Sequence, residues 1–215
     1  MEERATGIIL RTRPLTETSL IAVWLTAEQG RVSTVAKGAL RAKSPFRGKI
    51  DLFYESELTY VRSRKSELHT LKELRLLDTH SRLREELGYV QQASYAAALI
   101  EQTTETDTPL PGLYKLFVDF IRTLPLNLPE QKTIFAFEAK LLQDLGLQPE
   151  MEDSKLGAGT RRILQRLMQD DWPSLRSLKL SEGQESELRQ YLHGYLIYHL
   201  GKFPQSRAGA LHPAS

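Results

Sequence analysis

Residues 20–36 read LIAVWLTAEQGRVSTVA, and this stretch decides the fold class of the first part of the chain. Leu20–Thr26 and Val32–Ala36 are short runs rich in β-branched and aromatic residues, which is typical of strands. Gln29 and Gly30 lie between the two runs, where a hairpin needs a tight turn. The stretch therefore predicts two antiparallel strands joined by a hairpin.

Three more runs of the same kind surround this hairpin: Gly7–Thr12, Asp51–Val61 and Glu67–Leu77. Alternation along the fourth run places four apolar side chains on one face: Leu52, Tyr54, Leu58 and Tyr60. Glu55 and Glu57 fall on the opposite face, which we expect to be solvated. Five short strands in succession predict a small closed barrel of the OB type.

After Asp78 the apolar residues recur every three or four positions, which is the period of amphipathic helices. Five such stripes follow one another, within residues 83–97, 113–121, 134–145, 163–168 and 188–199. Ser181 and Gln184 form the sequence pattern of a capping box before the last stripe. We expect the residues from Pro204 onward to be frayed. The predicted architecture is α+β, with an OB-type barrel in residues 1–80 and an all-α helical bundle in residues 81–215.

Composition narrows the functional class. The 215-residue chain has no cysteine, which excludes disulfides, thiolate zinc ligands and a cysteine nucleophile, and which fits a reducing cytoplasm. No apolar run approaches the roughly 20 residues of a membrane helix. The first residues, MEERATGIIL, lack the basic start and apolar core of a signal peptide. We therefore expect a cytoplasmic protein with no membrane partner.

Positive charge is concentrated in one part of the sequence. Residues 29–50 contain no acidic residue but six basic ones: Arg31, Lys37, Arg41, Lys43, Arg47 and Lys49. Like charges at this density repel one another unless a polyanion neutralises them. Gly38 and Gly48 allow a close approach of backbone to phosphate, and Phe46 and Trp24 are candidates either for a stacking surface or for the core. The pattern favours a nucleic-acid-binding loop, and its alternative is a solvated loop whose charge serves solubility.

No constellation of catalytic residues stands out. The histidines are scattered, and none lies four positions from another as a helical metal pair would: His69, His80, His193, His199 and His212. Residues 157–160, GAGT, precede a helical stripe but follow no strand and include no Walker lysine. We interpret them as a flexible link with Thr160 as the helix N-cap. We expect no enzyme activity, no metal and no cofactor.

Several short motifs are specific as an ordered set. They are Gly7-Ile8-Ile9-Leu10 with Arg13, Glu17 and Ser19, Leu25-Thr26, Gly30, residues 35–39 and residues 44–48. With these motifs the first part of the chain resembles the N-terminal domain of the bacterial DNA repair protein family RecO. The resemblance continues more loosely to FEAKLLQDLGLQP at 137–149 and returns in YLIYHLGKFPQSR at 195–207, so it covers most of the chain.

The resemblance implies an OB domain followed by a helical domain, and a recombination mediator of the RecF pathway rather than an enzyme. It implies binding of single- and double-stranded DNA and annealing of complementary strands. It also implies contact with the acidic C-terminal tail of single-stranded DNA-binding protein (SSB) and, with RecR, help in loading RecA onto SSB-coated DNA. We expect a cytoplasmic, nucleoid-associated protein whose DNA contacts come from seven cations: Arg13, Arg31, Lys37, Arg41, Lys43, Arg47 and Lys49.

The chain departs from the family pattern at two places: in IDLF at residues 50–53, and after the segment that ends in LGL and a proline. Many relatives carry a four-cysteine zinc module after the segment ending in LGL and a proline. Here Pro149 is followed by EMEDSKLGAGTRRIL, which contains no cysteine. We therefore expect the zinc module to be absent.

The implied contact with the SSB tail needs an apolar pocket with a cation at its rim. Residues 113–145 contain aromatic side chains among cations, and most of these aromatics fit a helix core. Phe135 is predicted to be the exposed exception, because it lies off the line of Ile134 and Phe137. The candidate residues for the tail are Arg122, Lys132, Phe135 and Lys140.

Two other functional classes stay open at the level of sequence. One is an adaptor whose main partner is a protein and whose DNA contact is incidental. The other is an OB protein that binds RNA, because discrimination of the 2′-hydroxyl cannot be read from these residues.

Overall fold

The structure, a computed structural model, describes residues 2–149 and 156–213. Five strands come first: β1 (Glu2–Pro14), β2 (Leu20–Thr26), β3 (Gly30–Ala36), β4 (Glu55–Val61) and β5 (Leu68–Asp78). The described helices follow: α1 (Leu87–Thr103), α2 (Pro111–Thr123), α3 (Gln131–Asp144), α4 (Ala158–Gln169), α5 (Trp172–Arg176), α6 (Glu182–Leu200) and α7 (Arg207–Leu211). The expectation that a zinc module is absent falls largely on residues 150–155, which lie outside the described residues.

The five strands close a barrel in the order β1-β2-β3-β5-β4. β3 and β5 pair in parallel, and the other neighbours pair antiparallel. Apolar side chains from every strand fill the interior, among them Ile9, Trp24, Val32, Leu58 and Leu71. This arrangement confirms the predicted OB-type barrel followed by helices.

The fourth strand is shorter than its sequence pattern predicts. β4 begins at Glu55, and residues 51–54 form a turn instead of the strand predicted from Asp51. Phe53 has a positive φ of 65°, a conformation that no strand contains. Its backbone N–H donates to the Ile9 carbonyl at 2.9 Å, and the Ile9 N–H donates to the Tyr54 carbonyl at 3.1 Å. This turn therefore joins the chain to β1 just before β4 starts.

Glu55 is buried, so the prediction that it lies on a solvated face is wrong. Its side chain accepts a hydrogen bond from the Tyr114 hydroxyl at 2.9 Å, and its other oxygen lies 3.4 Å from Nε2 of His80. Glu57 is exposed and pairs with Arg75 on β5. The two glutamates differ because the segment that contains Tyr114 covers Glu55 and leaves Glu57 exposed.

Residues 103–118 form one compact unit with residues 1–81, although the sequence pattern groups them with the helices. The Asp107 N–H donates to the Arg31 carbonyl at 2.9 Å, and the Arg62 guanidinium lies 2.9 Å from the Asp107 carboxylate. Arg62 also pairs with Glu3 at 2.7 Å. This segment therefore belongs to the packing of the barrel.

The hairpin turn at Gly30 gives a sharp test of this packing. Gly30 has a φ of +69°, and a Cβ atom there would overlap the carbonyl of Thr108. Gly48 has a φ of +72° with open space around the same position. Gly48→Ala should therefore cost only the backbone strain, about 1–2 kcal/mol. Gly30→Ala should cost about 1 kcal/mol or more beyond that, because the backbone of residue 108 must move.

Urea denaturation of the two variants measures this difference. A Gly30 variant as stable as the Gly48 variant would contradict the tight contact between the hairpin turn and the segment around Thr108.

Residues 82–102 and 119–215 form the second compact unit, which we call the helical unit. The aromatic rings of Phe120 and Phe137 lie 4.6 Å apart in its core, and Trp172 lies 5.6 Å from Phe120. α3 packs against α4, α6 and α7. Among the described residues, no helix is long and apolar enough to cross a membrane.

Helix ends agree with the sequence in one place and differ in two. The capping box of Ser181 and Gln184 at the start of α6 is confirmed. Thr160 is not an N-cap, because α4 begins earlier with Gly157 as its cap and Thr160 is buried in the first turn. The expectation of fraying from Pro204 onward is wrong for Arg207–Leu211, which form α7 with the side chain of Arg207 buried.

Candidate nucleic-acid interface

The second part of the acid-free stretch, residues 37–50, forms most of the connection between β3 and β4, and we call it the basic loop. Its first residues are fixed to the β1–β2 connection. The Gly38 N–H donates to Oγ of Ser19 at 3.1 Å, and the Leu40 N–H donates to the Thr18 carbonyl at 2.9 Å. OB-type barrels bind oligonucleotides with the β1–β2 and β4–β5 loops and the face of strands 2 and 3. The basic loop thus adjoins one of the loops that this fold uses for nucleic acid.

The basic loop is a chain of consecutive turns and not an open excursion. Backbone N–H groups of Arg41, Ser44, Arg47 and Lys49 each donate to the carbonyl three residues earlier, at 3.0–3.2 Å. Gly38 and Gly48 take the left-handed conformations that such turns require. These bonds give the cations of the loop defined positions on its outer side.

Phe46 anchors the loop in the barrel. Its side chain is only 7% exposed and belongs to the barrel core, together with Ala39. Trp24 is fully buried, and its indole N–H donates to Oγ1 of Thr34 at 2.9 Å. Neither ring offers a face to solvent, so Phe46 and Trp24 belong to the core and do not form a stacking surface.

The cations of the basic loop point outward. Lys37, Arg41, Lys43 and Arg47 are exposed, and Lys49 is half-buried. The Arg47 guanidinium donates to the Ala42 carbonyl at 3.2 Å. Among residues 2–149 and 156–213, no carboxylate forms a salt bridge with any of these five side chains. The loop therefore presents unneutralised positive charge that suits a row of phosphates.

The two other predicted DNA contacts lie outside the loop. Arg13 is exposed near the end of β1. Arg31 is half-buried, and its guanidinium donates to Oγ1 and the carbonyl of Thr104 at 3.3 and 2.9 Å. The hydrogen bonds hold Arg31 against the segment 103–118, so its position suits a structural role better than a phosphate contact.

Sequence reasoning did not single out a second basic turn. Arg64 and Lys65 are neighbouring exposed residues in the β4–β5 connection, the other loop that OB-type barrels use for nucleic acid. Two adjacent cations between strands are a weak signal in a sequence. Their meaning depends on knowing which two strands they join.

Two family models match this chain, one over the barrel and one over the helices that follow it. Residues 1–80 match the family described as Recombination protein O N terminal, and residues 84–155 match Recombination protein O C terminal. The DNA repair protein RecO of Exiguobacterium sibiricum is 30% identical over 151 residues, which are 70% of this chain and 60% of that protein. The chain belongs to the RecO family.

Two other relatives extend the comparison. The DNA repair protein RecO of Rhodopirellula baltica is 32% identical over 143 residues, 66% of this chain and 53% of that protein. The DNA repair protein RecO of an Anaeromyxobacter species is 25% identical over 233 residues, 93% of this chain and 92% of that protein. The alignment with the Exiguobacterium relative thus spans about 60% of that protein's length.

The predicted SSB-tail site in this RecO-family chain requires an exposed Phe135, and Phe135 is not exposed. It is fully buried, as are Ile134 and Phe137 on either side of it. Six consecutive residues of α3, 134–139, are buried, because neighbouring helices surround it on more than one side. The expectation that Phe135 is an exposed anchor is wrong.

The cations predicted beside Phe135 are engaged in holding helix ends. Nζ of Lys132 donates to the carbonyls of Arg176 and Leu178 at 3.1 and 3.0 Å, and it lies 2.8 Å from Glu130. Nζ of Lys140 donates to the carbonyls of Met168 and Asp170 at 3.0 and 2.6 Å. Burial lowers the pKa of Lys140 despite nearby carboxylates. Arg122, the last of the predicted set, is exposed on α2.

The anchoring role of Phe46 leads to a prediction. Phe46→Leu keeps an apolar side chain but leaves part of its site unfilled, so we expect a loss of about 1 kcal/mol, typical of a single core substitution. Amide hydrogen exchange should then speed up in residues 37–50 more than in β1 or β2. Equal protection of the loop in the variant and the wild-type protein would show that Phe46 does not order the loop.

Proposed function

We propose that this chain binds DNA through the basic loop of its barrel and acts in DNA repair as a recombination mediator without enzymatic activity. The observation that carries the proposal is the set of five outward cations without a carboxylate partner among the described residues. They lie on a folded loop next to the β1–β2 connection of an OB-type barrel. Phosphate contacts of this kind hold a strand without reading its sequence.

Further steps of the proposal follow from membership of the RecO family. The chain anneals complementary single strands, binds double-stranded DNA and, with RecR, helps to load RecA onto SSB-coated DNA at the nucleoid. Relatives carry the name DNA repair protein, which supports the assignment to repair. Contact with the SSB tail is part of the proposal. The surroundings of Lys132 and Phe135 do not support those two residues as its site.

Strand annealing tests the function directly. Two complementary oligonucleotides with a fluorophore and a quencher are mixed with and without the protein, first bare and then coated with SSB. The proposal predicts faster annealing by the wild-type chain on both substrates. Annealing at the spontaneous rate on both would overturn it. Competition with RNA of the same sequence separates DNA binding from RNA binding, since only a site that reads the 2′-hydroxyl discriminates the two.

A further inference from the structure

A second acid-free stretch runs through the last part of the chain. Residues 188–215 contain no Asp or Glu, while aromatic and cationic residues alternate along them. In the helical unit, α6 and the segment around α7 line a cavity of 390 Å³ that is open to solvent, and its lining includes His193, Phe203, Ala208 and Leu211. A volume of this size lies in the range of small-molecule sites, about 300–1,000 Å³.

The cavity has a rigid aromatic wall. The rings of His193 and Phe203 meet edge to face with centroids 4.9 Å apart. On its other side, the Arg207 guanidinium lies 5.9 Å from the Phe203 ring, and Arg207 is held by Glu138. Because the Phe203 ring packs between two neighbours, little side-chain entropy of Phe203 is lost when a flat ligand contacts it.

Arg189 lines the cavity, and its guanidinium belongs to the packing of the helical unit. One nitrogen of its guanidinium donates to Oε1 of Gln131 at 2.7 Å. Its Nε is buried and has no hydrogen-bond partner among the described residues. The lining also includes His212 and two exposed carboxamides, Gln190 and Gln205, but no carboxylate.

We infer that this cavity binds one nucleotide of a single DNA strand. The base enters between the Phe203–His193 wall and Leu211, and the exposed carboxamides of Gln190 and Gln205 are available to hydrogen-bond its edge. An apolar cavity with aromatic rings and with amides in its lining matches the base of a nucleotide. The inference rests on the proposed function, because that function brings single-stranded DNA to the protein. An acidic peptide that ends in an aromatic residue is the alternative ligand, because it too combines an aromatic ring with negative charge.

Photo-crosslinking tests the site. An oligo(dT) containing 5-iododeoxyuridine is irradiated with the full chain, and the crosslinked residues are mapped by mass spectrometry. We expect crosslinks at His193 or Phe203. Ala208→Leu fills the cavity, and the alanine side chain that it replaces makes no hydrogen bond or ion pair. These crosslinks should therefore disappear. The affinity for the oligonucleotide should fall about tenfold, the size of one lost base–aromatic contact. His193→Ala should weaken binding in the same direction.

Ala158→Leu, an exposed alanine on α4, is the matched control and should change neither crosslinks nor affinity. Crosslinks elsewhere together with unchanged affinity of the Ala208 and His193 variants would overturn the nucleotide site while leaving the proposed function intact. So would binding of an acidic phenylalanine-ended peptide that is lost in the Ala208 variant while DNA binding is kept. A wild-type chain that binds no single-stranded DNA would overturn the proposed function and the site together.

Discussion

Replacing Glu138 by alanine should destabilise the helical unit by about 3–5 kcal/mol, because it leaves a buried guanidinium without its counter-charge. Glu138 is fully buried and Arg207 is 3% exposed. The two side chains form a bidentate pair, with Nε–Oε1 and Nη2–Oε2 distances of 2.7 and 2.9 Å. The pair joins α3 to α7, so its loss should release the C-terminal segment from the unit.

Tyr95 completes this buried group from α1. Its hydroxyl donates to Oε1 of Glu138 at 2.5 Å, and burial, followed by the charge of Glu138, raises the pKa of Tyr95 well above its usual value. Tyr95 is therefore a neutral donor at all ordinary pH values. Tyr95→Phe removes one hydrogen bond and should cost about 1–3 kcal/mol, less than the loss of the carboxylate.

Urea unfolding followed by far-UV circular dichroism measures these costs. The double variant Glu138→Leu with Arg207→Met should recover most of the stability lost in Glu138→Ala, because apolar side chains of similar volume leave no buried charge. A control variant, Glu57→Ala, breaks the exposed pair with Arg75 and should leave the unfolding curve nearly unchanged. A loss below about 1 kcal/mol in Glu138→Ala would contradict the structural role of the buried pair.

Changing Arg41, Lys43 and Arg47 together to alanine should weaken binding of single-stranded DNA about 100-fold at 0.1 M salt. Each phosphate contact on a single strand contributes a slope of about 0.7 in log affinity against log salt, and three contacts contribute about two decades between 0.1 and 1 M. The loss should be similar for all sequences, because phosphate contacts do not read bases. The fold should survive, since exposed loop charges contribute little stability.

The matched control removes three exposed cations elsewhere: Arg4, Lys72 and Lys179. Both variants lower the net charge by the same amount, so a general effect of charge would weaken DNA binding equally in the two. Fluorescence anisotropy with a labelled oligo(dT) compares them. We expect a large loss of affinity for the oligonucleotide in the loop variant and a small loss in the control.

The barrel was predictable because its signals are local. β2 spans Leu20–Thr26, as its pattern of β-branched residues indicates, and Gly30 marks the hairpin. The start of β4 was not predictable, because residues 51–54 continue the alternation and only their hydrogen bonds to Ile9 end it. Pairing with a distant strand leaves no trace in a short window of sequence.

The helical unit shows a similar limit. The stripes predicted the five longer helices, whereas α5 and α7, each of five residues, are too short to show a period. Phe135 lies off the stripe of its own helix but is covered by neighbouring helices. How many sides of a helix are covered depends on tertiary packing, so the exposure of one aromatic residue cannot be read from its periodicity.

For the candidate interface, the sequence predicted the concentration of cations but not which side chains are held in place by distant parts of the chain. The absence of acids from residues 29–50 marked the loop correctly as a concentration of cations. The sequence did not show that Arg31 is held by Thr104, or that the ring of Phe46 belongs to the core. Both facts depend on segments far away in the chain.

The salt dependence of binding to single-stranded DNA shows whether the cations of the basic loop contact phosphates. Dissociation constants of the wild-type chain and the Arg41/Lys43/Arg47 variant are measured from low to high salt, and log affinity is plotted against log salt concentration. We expect a steep dependence of log affinity on log salt for the wild-type chain and a slope smaller by about 2 for the Arg41/Lys43/Arg47 variant. The Arg4/Lys72/Lys179 control should have a slope close to that of the wild type. Parallel lines for the wild-type chain and the loop variant would contradict the assignment of the basic loop to DNA.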